Sequence, residues 1–329
     1  MTDSARLDNR HGAQNPIRSP WRIVFFGSTD FSLAALEALS QGPDEVVLVV
    51  CPPPAPAGRG RKISPSPVSE LADELRIPRL ESRSVKSESI IEKIREARPD
   101  ILVVAAYGGF LPKALLEMCP YPPLNIHPSL LPRHRGAAPV NWSLISCDQE
   151  LGVSIIFLEE EMDAGPILSQ RAFKVDCCCD SAGIWEERLA RAGAEDLLKV
   201  IAGLKDGSAR PCPQDSDQCS INPLLCKNDG LVDFSRPAGE LAGLINGVDP
   251  WPGAQSKFQG KSLKIFGASA IEGPAGGEPG QVLGLDDQKR LMVAAGKGTL
   301  LLRELQPEGK KKMSAADFRH GYRPERLGY

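Results

Sequence analysis

The chain has 329 residues, 42% of them hydrophobic and 25% charged. That mix excludes a disordered or collagen-like chain, and the length suggests about two domains. Lys plus Arg number 39 against 42 Asp plus Glu, a formal charge of -3, which argues against a generally basic nucleic-acid binder and leaves any polyanionic partner to local basic patches.

Residues 1–20 are polar with scattered charges and no apolar h-region, so they read as a disordered extension and not a signal peptide. Asp3 and Asp8 also sit badly with an acid-poor transit peptide. Residues 22–26 form an apolar run ending in Gly27-Ser28-Thr29-Asp30, after which Phe31, Leu33, Leu36 and Leu39 recur at helical spacing. This pattern predicts strand, tight turn, helix. The β-branched run 45–51 predicts a strand buried on both faces. Helices are predicted over 68–76 and 88–97, and another buried strand over 100–106. Strands alternating with helices imply a Rossmann-like, doubly wound, mostly parallel sheet. Further strands are expected over 124–127 and 152–158, with 167–175 returning antiparallel to the latter. From Asp180, a fair N-cap, Trp185, Leu189, Leu197, Ile201 and Leu204 supply the apolar side of a long helix closed by Gly207.

Residues 208–222 are rich in Pro, Ser, Asp and Gln, the composition of an exposed linker. A helix near 238–246 precedes short strands over 254–258, 263–266, 280–285, 290–295 and 299–305, which suggests a small OB-like antiparallel β-barrel. The expected organisation is thus an extension (1–20), an α/β domain (21–207), a linker (208–222) and a small β-domain (223–329).

Nine cysteines, three of them consecutive at Cys177, Cys178 and Cys179, fit neither a disulfide framework nor a metal site with two-residue spacers. Reduced thiols and no metal are expected, and the equal spacing of Cys212, Cys219 and Cys226 reads as coincidence because prolines interrupt it. No run approaches the roughly 18 apolar residues of a membrane span. The cytoplasm is the expected location.

Gly27-Ser28-Thr29-Asp30 stands where a dinucleotide would bind, but the three-glycine fingerprint is missing, so a dehydrogenase is only weakly supported. The densest polar cluster is Asn125-Ile126-His127-Pro128-Ser129-Leu130-Leu131-Pro132, where a short strand runs into a loop. Strand alternation puts Asn125 and His127 on one face, opening on the cleft beyond the strands' carboxyl ends. An amide beside an imidazole suits stabilisation of the oxyanion formed when a carbonyl is attacked. The bland alternative is a histidine satisfied by backbone carbonyls. Among the acidic residues Glu159, Glu160, Glu161 and Asp163, which bend at Gly165, Asp163 is best placed to fold back and keep His127 cationic. No serine or cysteine sits with a base in a local nucleophile motif, which leans against a covalent acyl-enzyme.

The proline-rich loop 52–62 ends in Arg59, Arg61 and Lys62 beside glycines. It reads either as a phosphate-engaging loop or as a solvated insertion. Lys310-Lys311-Lys312 is a second basic run, by itself more often a solvated turn.

Taken together, Asn125 to Arg133, Arg135-Gly136-Ala137-Ala138-Pro139 and Met162-Asp163-Ala164-Gly165 resemble the signature of the folate-dependent formyltransferases. The loop from Ala57 to Lys62, Asp249-Pro250-Trp251-Pro252 and Lys311 to Ala315 resemble the members that formylate methionine on charged initiator tRNA. The resemblance implies a catalytic trio at Asn125, His127 and Asp163, a folate-contacting stretch at Ser129, Leu130, Leu131 and Pro132, and 10-formyltetrahydrofolate as formyl donor. It also implies that Arg59, with Arg61 and Lys62, meets the tRNA acceptor arm. The chain departs from the pattern at Ser220-Ile221, where an aromatic is expected, and in its triple cysteine. A monomer is expected. The rivals are formyl transfer to another amine such as a nucleotide sugar, formyl-folate hydrolysis, and a non-catalytic RNA binder that senses folate.

Overall fold

The computed structural model describes residues 20–57, 62–175 and 180–328. Residues 1–19 of the expected extension and the run Cys177 to Cys179 lie outside the described residues. In chain order the principal elements are β1 (Arg22–Gly27), α1 (Leu33–Gln41), β2 (Glu45–Cys51), α2 (Pro67–Glu74), β3 (Arg79–Glu81), α3 (Glu88–Glu96), β4 (Ile101–Ala105), β5 (Leu124–His127), α4 (Pro139–Ile145), β6 (Glu150–Phe157), β7 (Ile167–Lys174) and α5 (Ala182–Asp206). They continue with α6 (Ala238–Gly247), β8 (Ala254–Phe258), β9 (Lys261–Ile271), β10 (Val282–Leu285), β11 (Leu291–Ala294), β12 (Thr299–Pro307), β13 (Met313–Ser314) and α7 (Ala315–Tyr322). The chain divides into two compact units, one holding residues up to Pro132 with Gly152–Arg171 and Glu187–Cys219, the other Arg133–Leu151, Ala172–Glu186 and residues from Ser220 onward.

The first unit is built on a sheet of order β3-β2-β1-β4-β5-β6-β7. β1 pairs in parallel with β2 and β4, β2 with β3, and β4 with β5, whereas β6 runs antiparallel to β5. Ile23, Val24, Phe25 and Phe26 of β1 are all 0% exposed, the condition that makes a parallel strand read as a continuous apolar run. Val24, Phe26, Leu48, Val50, Leu102 and Val104 form one core cluster with Ile91 and Ile94 of α3. Burying each such side chain stabilises the fold by about 1.5–3 kcal/mol. Ser66 starts α2 by accepting the Ser69 N–H, with Pro67 at the first helical position.

Strand order reverses between β1 and β4, which opens a crevice at their carboxyl ends. Side chains of the Gly27 turn hold that edge: Ser32 Oγ donates to the Ala105 carbonyl (2.6 Å) and Ser28 Oγ to the Tyr107 carbonyl (2.9 Å). The turn thus serves as a strap onto the end of β4.

In the second unit the antiparallel order is β8-β9-β12-β11-β10, with β13 against β12. α6 and α7 lie on one core with this sheet, including Leu241, Ile245, Leu263, Ile265, Leu302 and Phe318. Buried Asn246 of α6 both donates to and accepts from the backbone of Ala268 (2.8 and 2.9 Å), beside Gly267, whose φ is 63°. The C-terminal tail spans the sheet's two edges, pairing Val282 N–H with the Glu325 carbonyl next to β10 and Gly328 N–H with the Lys257 carbonyl of β8 (both 2.8 Å). Both exposed edges are thereby partly covered. In the same unit buried His134 shares a hydrogen bond at Nε2 with Asp148 Oδ2 (2.7 Å) and meets the Asn222 amide at Nδ1 (2.7 Å). Ser220, at the position of the departure, accepts the His134 N–H through Oγ and the Arg135 N–H through its carbonyl (both 2.8 Å).

Candidate active site

The carboxyl end of β5 carries Asn125 and His127 at alternate positions, opposite Ile156 and Ser154 of β6. Both are buried, at 9% and 4% exposure. Beyond β6 the chain loops back on itself, and the Phe157 N–H donates to the Pro166 carbonyl across the loop's base (3.1 Å). Within this loop Asp163 turns its carboxylate onto the strand end. Asn125 Nδ2 donates to Asp163 Oδ1 at 3.4 Å, and Asp163 Oδ2 lies 3.6 Å from His127 Nδ1. The second distance is that of a charge contact and not of a short hydrogen bond. An amide carries two N–H donors, so the one aimed at Asp163 does not exhaust Asn125.

Asp163 holds its place at a local cost. Its φ of 52° is left-handed, a conformation that costs a non-glycine residue about 1–3 kcal/mol and clusters at functional sites. Two contacts offset that strain. A Cβ on Gly165 would lie 1.9 Å from the Phe157 carbonyl oxygen, so only glycine lets the turn press this closely on β6. Gln214 Nε2 donates to the Asp163 carbonyl (2.7 Å) and to the Gly165 carbonyl (2.8 Å).

The stretch after His127 is pinned with equal care. Ser154 Oγ donates to the Ser129 carbonyl (2.7 Å) while accepting Leu131 N–H (3.3 Å) and Gln170 Nε2 (2.9 Å), which uses the whole capacity of one hydroxyl. Gln170 Nε2 also donates to the Leu131 carbonyl (2.9 Å). Gly152 on β6 makes room for Leu130, whose Cδ2 would lie 2.2 Å from a Cβ there. Ser129 and Leu131 are buried, whereas Leu130 and Pro132 are half-buried.

The expected cations divide differently. Arg59 and Arg61 lie outside the described residues, and Lys62 begins a short strand (Lys62–Ser64) whose backbone pairs with Ala55–Ala57. Lys312 is engaged locally, with Nζ 2.6 Å from Glu304 and 4.7 Å from the Phe266 ring centre. Among the described residues no cluster of three or more His, Cys, Asp or Glu is placed to hold a metal ion. No described helix is long and apolar enough to cross a membrane.

Sequence reasoning misses Ser154, Gln170 and Gln214. Ser154 carries a signal, a polar residue 0% exposed inside the apolar run of β6. Gln214 carries none, because glutamine in a polar linker is unremarked.

Two family models match successive regions of the chain. The formyl transferase model matches residues 21–201 and the formyl transferase C-terminal domain model matches residues 225–323. The chain belongs to the formyl transferase family. It is similar to the methionyl-tRNA formyltransferase of Desulfotalea psychrophila (strain LSv54 / DSM 12343), 42% identical over 299 residues, 90% of this chain and 91% of that protein. Among solved structures it is similar to HypX from Aquifex aeolicus in complex with tetrahydrofolic acid, with TM-score 0.59 at 20% identity over 92% of this chain and 48% of HypX. It therefore spans about half the length of HypX. WlaRD, a sugar 3N-formyl transferase solved in the presence of dTDP and 5-N-formyl-THF, gives TM-score 0.63 at 14% identity over 89% of this chain and 99% of that one. At these identities the two structures speak for the formyl transferase fold. Asn125, His127 and Asp163 all lie in the first matched region, and Gln214 lies between the two.

Proposed function

We propose that this formyl transferase moves the formyl group of 10-formyltetrahydrofolate to the α-amino group of methionine on charged initiator tRNA, for translation initiation. The observation that carries this reading is the convergence of Asn125, His127 and Asp163 at one strand end, in a chain that aligns along 91% of a methionyl-tRNA formyltransferase. An α-amine has an ordinary pKa near 8, so a useful share is neutral and nucleophilic at physiological pH. Its lone pair attacks the formyl carbon, and the carbonyl oxygen takes up negative charge. Asn125 Nδ2 and the His127 ring N–H donate to that oxyanion, a role whose single donors are typically worth about 100- to 1,000-fold in rate. Asp163 balances the charge on His127 and helps a water take the proton released by the amine. Collapse of the intermediate breaks the bond to N10, which takes up the proton passed on through that water, and releases tetrahydrofolate.

The 128–132 backbone, stiffened by Ser154 and Gln170, offers the folate a fixed wall beside the reacting carbon. Arg59, Arg61 and Lys62 meet the acceptor arm, and the small β-domain helps hold the RNA. In this reading the chain acts as a monomer in the cytoplasm. The test is incubation with 10-formyltetrahydrofolate and methionyl initiator tRNA, following tetrahydrofolate release and formylmethionyl ester. Formylation of the charged tRNA, without product from free methionine, uncharged tRNA or an amino-sugar nucleotide, is the expected result. Product only from the amino sugar, or formate released without acceptor, would overturn the reading.

A further inference from the structure

We propose that Gln214 is a positioning residue for formyl transfer, acting through the turn that carries Asp163; this rests on the function proposed above. The chemistry asks the Asp163 carboxylate to stay beside Asn125 and His127 while charge develops. Yet Asp163 sits in a left-handed conformation, which a residue with a Cβ adopts only at a cost (φ 52°). Asn125 and His127 approach its carboxylate oxygens and so act on the side chain rather than on the strained backbone.

A backbone restraint comes from the other side. One amide nitrogen of Gln214 donates to the carbonyls of both Asp163 and Gly165 (2.7 and 2.8 Å), straddling Ala164. A primary amide has the two N–H groups this bridge needs, and a carboxylate of the same size has none. Gln214 itself is held in register because Cys212 and Ile167 exchange both backbone hydrogen bonds (each 2.8 Å), fixing residues 212–214 along the start of β7. On its opposite side the turn abuts β6, where Gly165 approaches the Phe157 carbonyl. The loop is therefore clamped between β6 and Gln214, and the amide closes the clamp on the very residue whose carboxylate reaches His127. Residues 208–222 thus do more than connect, although neither family match includes Gln214.

Releasing the clamp lets Asp163 relax toward an ordinary backbone conformation and drift from His127, and a misplacement of about 1 Å in an active site can cost about 100-fold. The test compares single-turnover formylation of methionyl initiator tRNA by the wild type, Gln214→Glu, Gln214→Leu, Asp163→Asn and the two double variants. Gln214→Glu keeps size and polarity while removing both donors, so it carries the test if Gln214→Leu fails to fold, and thermal melting monitors all variants. Each Gln214 change should lower the chemical step about 10- to 100-fold, with KM for folate and tRNA changed less than about threefold. In the Asp163→Asn background the same changes should cost less than about twofold, because coupled residues do not add. Folded Gln214 variants with near-normal turnover, or losses that multiply with Asp163→Asn, would overturn the positioning role while leaving the enzyme's function intact. A wild type that forms no formylmethionyl ester would overturn the function and this inference together.

Discussion

Replacing Asp163 by Asn removes one negative charge and little else, since the amide keeps the shape of the carboxyl group. The charge stands 3.6 Å from His127 Nδ1, between side chains only 12% and 5% exposed. When both ring nitrogens of His127 carry a proton, opposite unit charges at that separation attract by about 1 kcal/mol in bulk water and by about 4.6 kcal/mol at an effective dielectric near 20, the value suited to such partly buried pairs. Only the share that grows toward the transition state changes the rate. We therefore expect kcat for formyl transfer to fall by about 100- to 1,000-fold, each factor of ten corresponding to about 1.4 kcal/mol. Rapid-quench single turnovers with methionyl initiator tRNA read the chemical step directly. The loss should persist unchanged from low to high salt, because the pair is far closer than the Debye length of about 8 Å at physiological ionic strength. A folded Asp163→Asn protein within about threefold of wild type would refute the electrostatic role, and a defect that vanishes with added salt would point to surface charge.

Other consequences are equally open to measurement. Ser154→Ala leaves the buried Ser129 carbonyl and Leu131 N–H without their hydroxyl partner; urea denaturation should show a loss of about 1–3 kcal/mol and kinetics a raised KM for the folate, and an unchanged KM would detach this hydroxyl from folate binding. Burial, helped by the Asp100 carboxylate, pushes the Cys119 thiol up to about 12, so about one part in 10,000 is thiolate at pH 8. Brief iodoacetamide treatment of the native protein followed by peptide mapping should label exposed Cys226 and spare Cys119, and comparable labelling of both would contradict the raised thiol. Burial raises the Asp249 carboxyl above its ordinary value, with Lys312 opposing. The folded state thus holds that proton more tightly than the unfolded one, and stability is lost as pH rises through the folded value. Asp249→Asn should be more stable than wild type at pH 7, by a margin that shrinks toward pH 4 in denaturant titrations, and a margin constant with pH would refute the cause.

Elements that bury both faces are readable from local sequence because composition alone marks them. The runs 45–51 and 124–127 form strands with those ends, as Glu45–Cys51 and Leu124–His127. For β9 the local pattern predicts only 263–266, whereas the strand runs Lys261–Ile271, because Gly267 breaks the alternation while Asn246 satisfies the Ala268 backbone from α6. That repair comes from 22 residues away in sequence, outside any strand-length window. β3 spans three residues, Arg79–Glu81, and its order derives from parallel pairing with Val49 to Cys51. The start of α7 is written locally, since Ser314 caps the helix by accepting the Asp317 N–H, but the adjoining lysine run favours reading a solvated turn.

The groups proposed to react are legible for a different reason. Histidine and asparagine at alternate positions of a short strand are uncommon, and strand geometry fixes their shared face. Which of Glu159, Glu160, Glu161 and Asp163 meets them is not a local property, because a left-handed turn decides it and Gln214, 51 residues further on, braces that turn. Ser154 and Gln170 do the same for the stretch after His127. All three residues bind backbone carbonyls, a task open to many polar side chains, so apart from the place of Ser154 inside an apolar run their types give no warning of their position. The chemistry of this site is thus written in residue types, whereas its ångström-scale geometry is written in long-range bonds to the backbone. Substitutions in the second set should leave the reaction recognisable and make it slow.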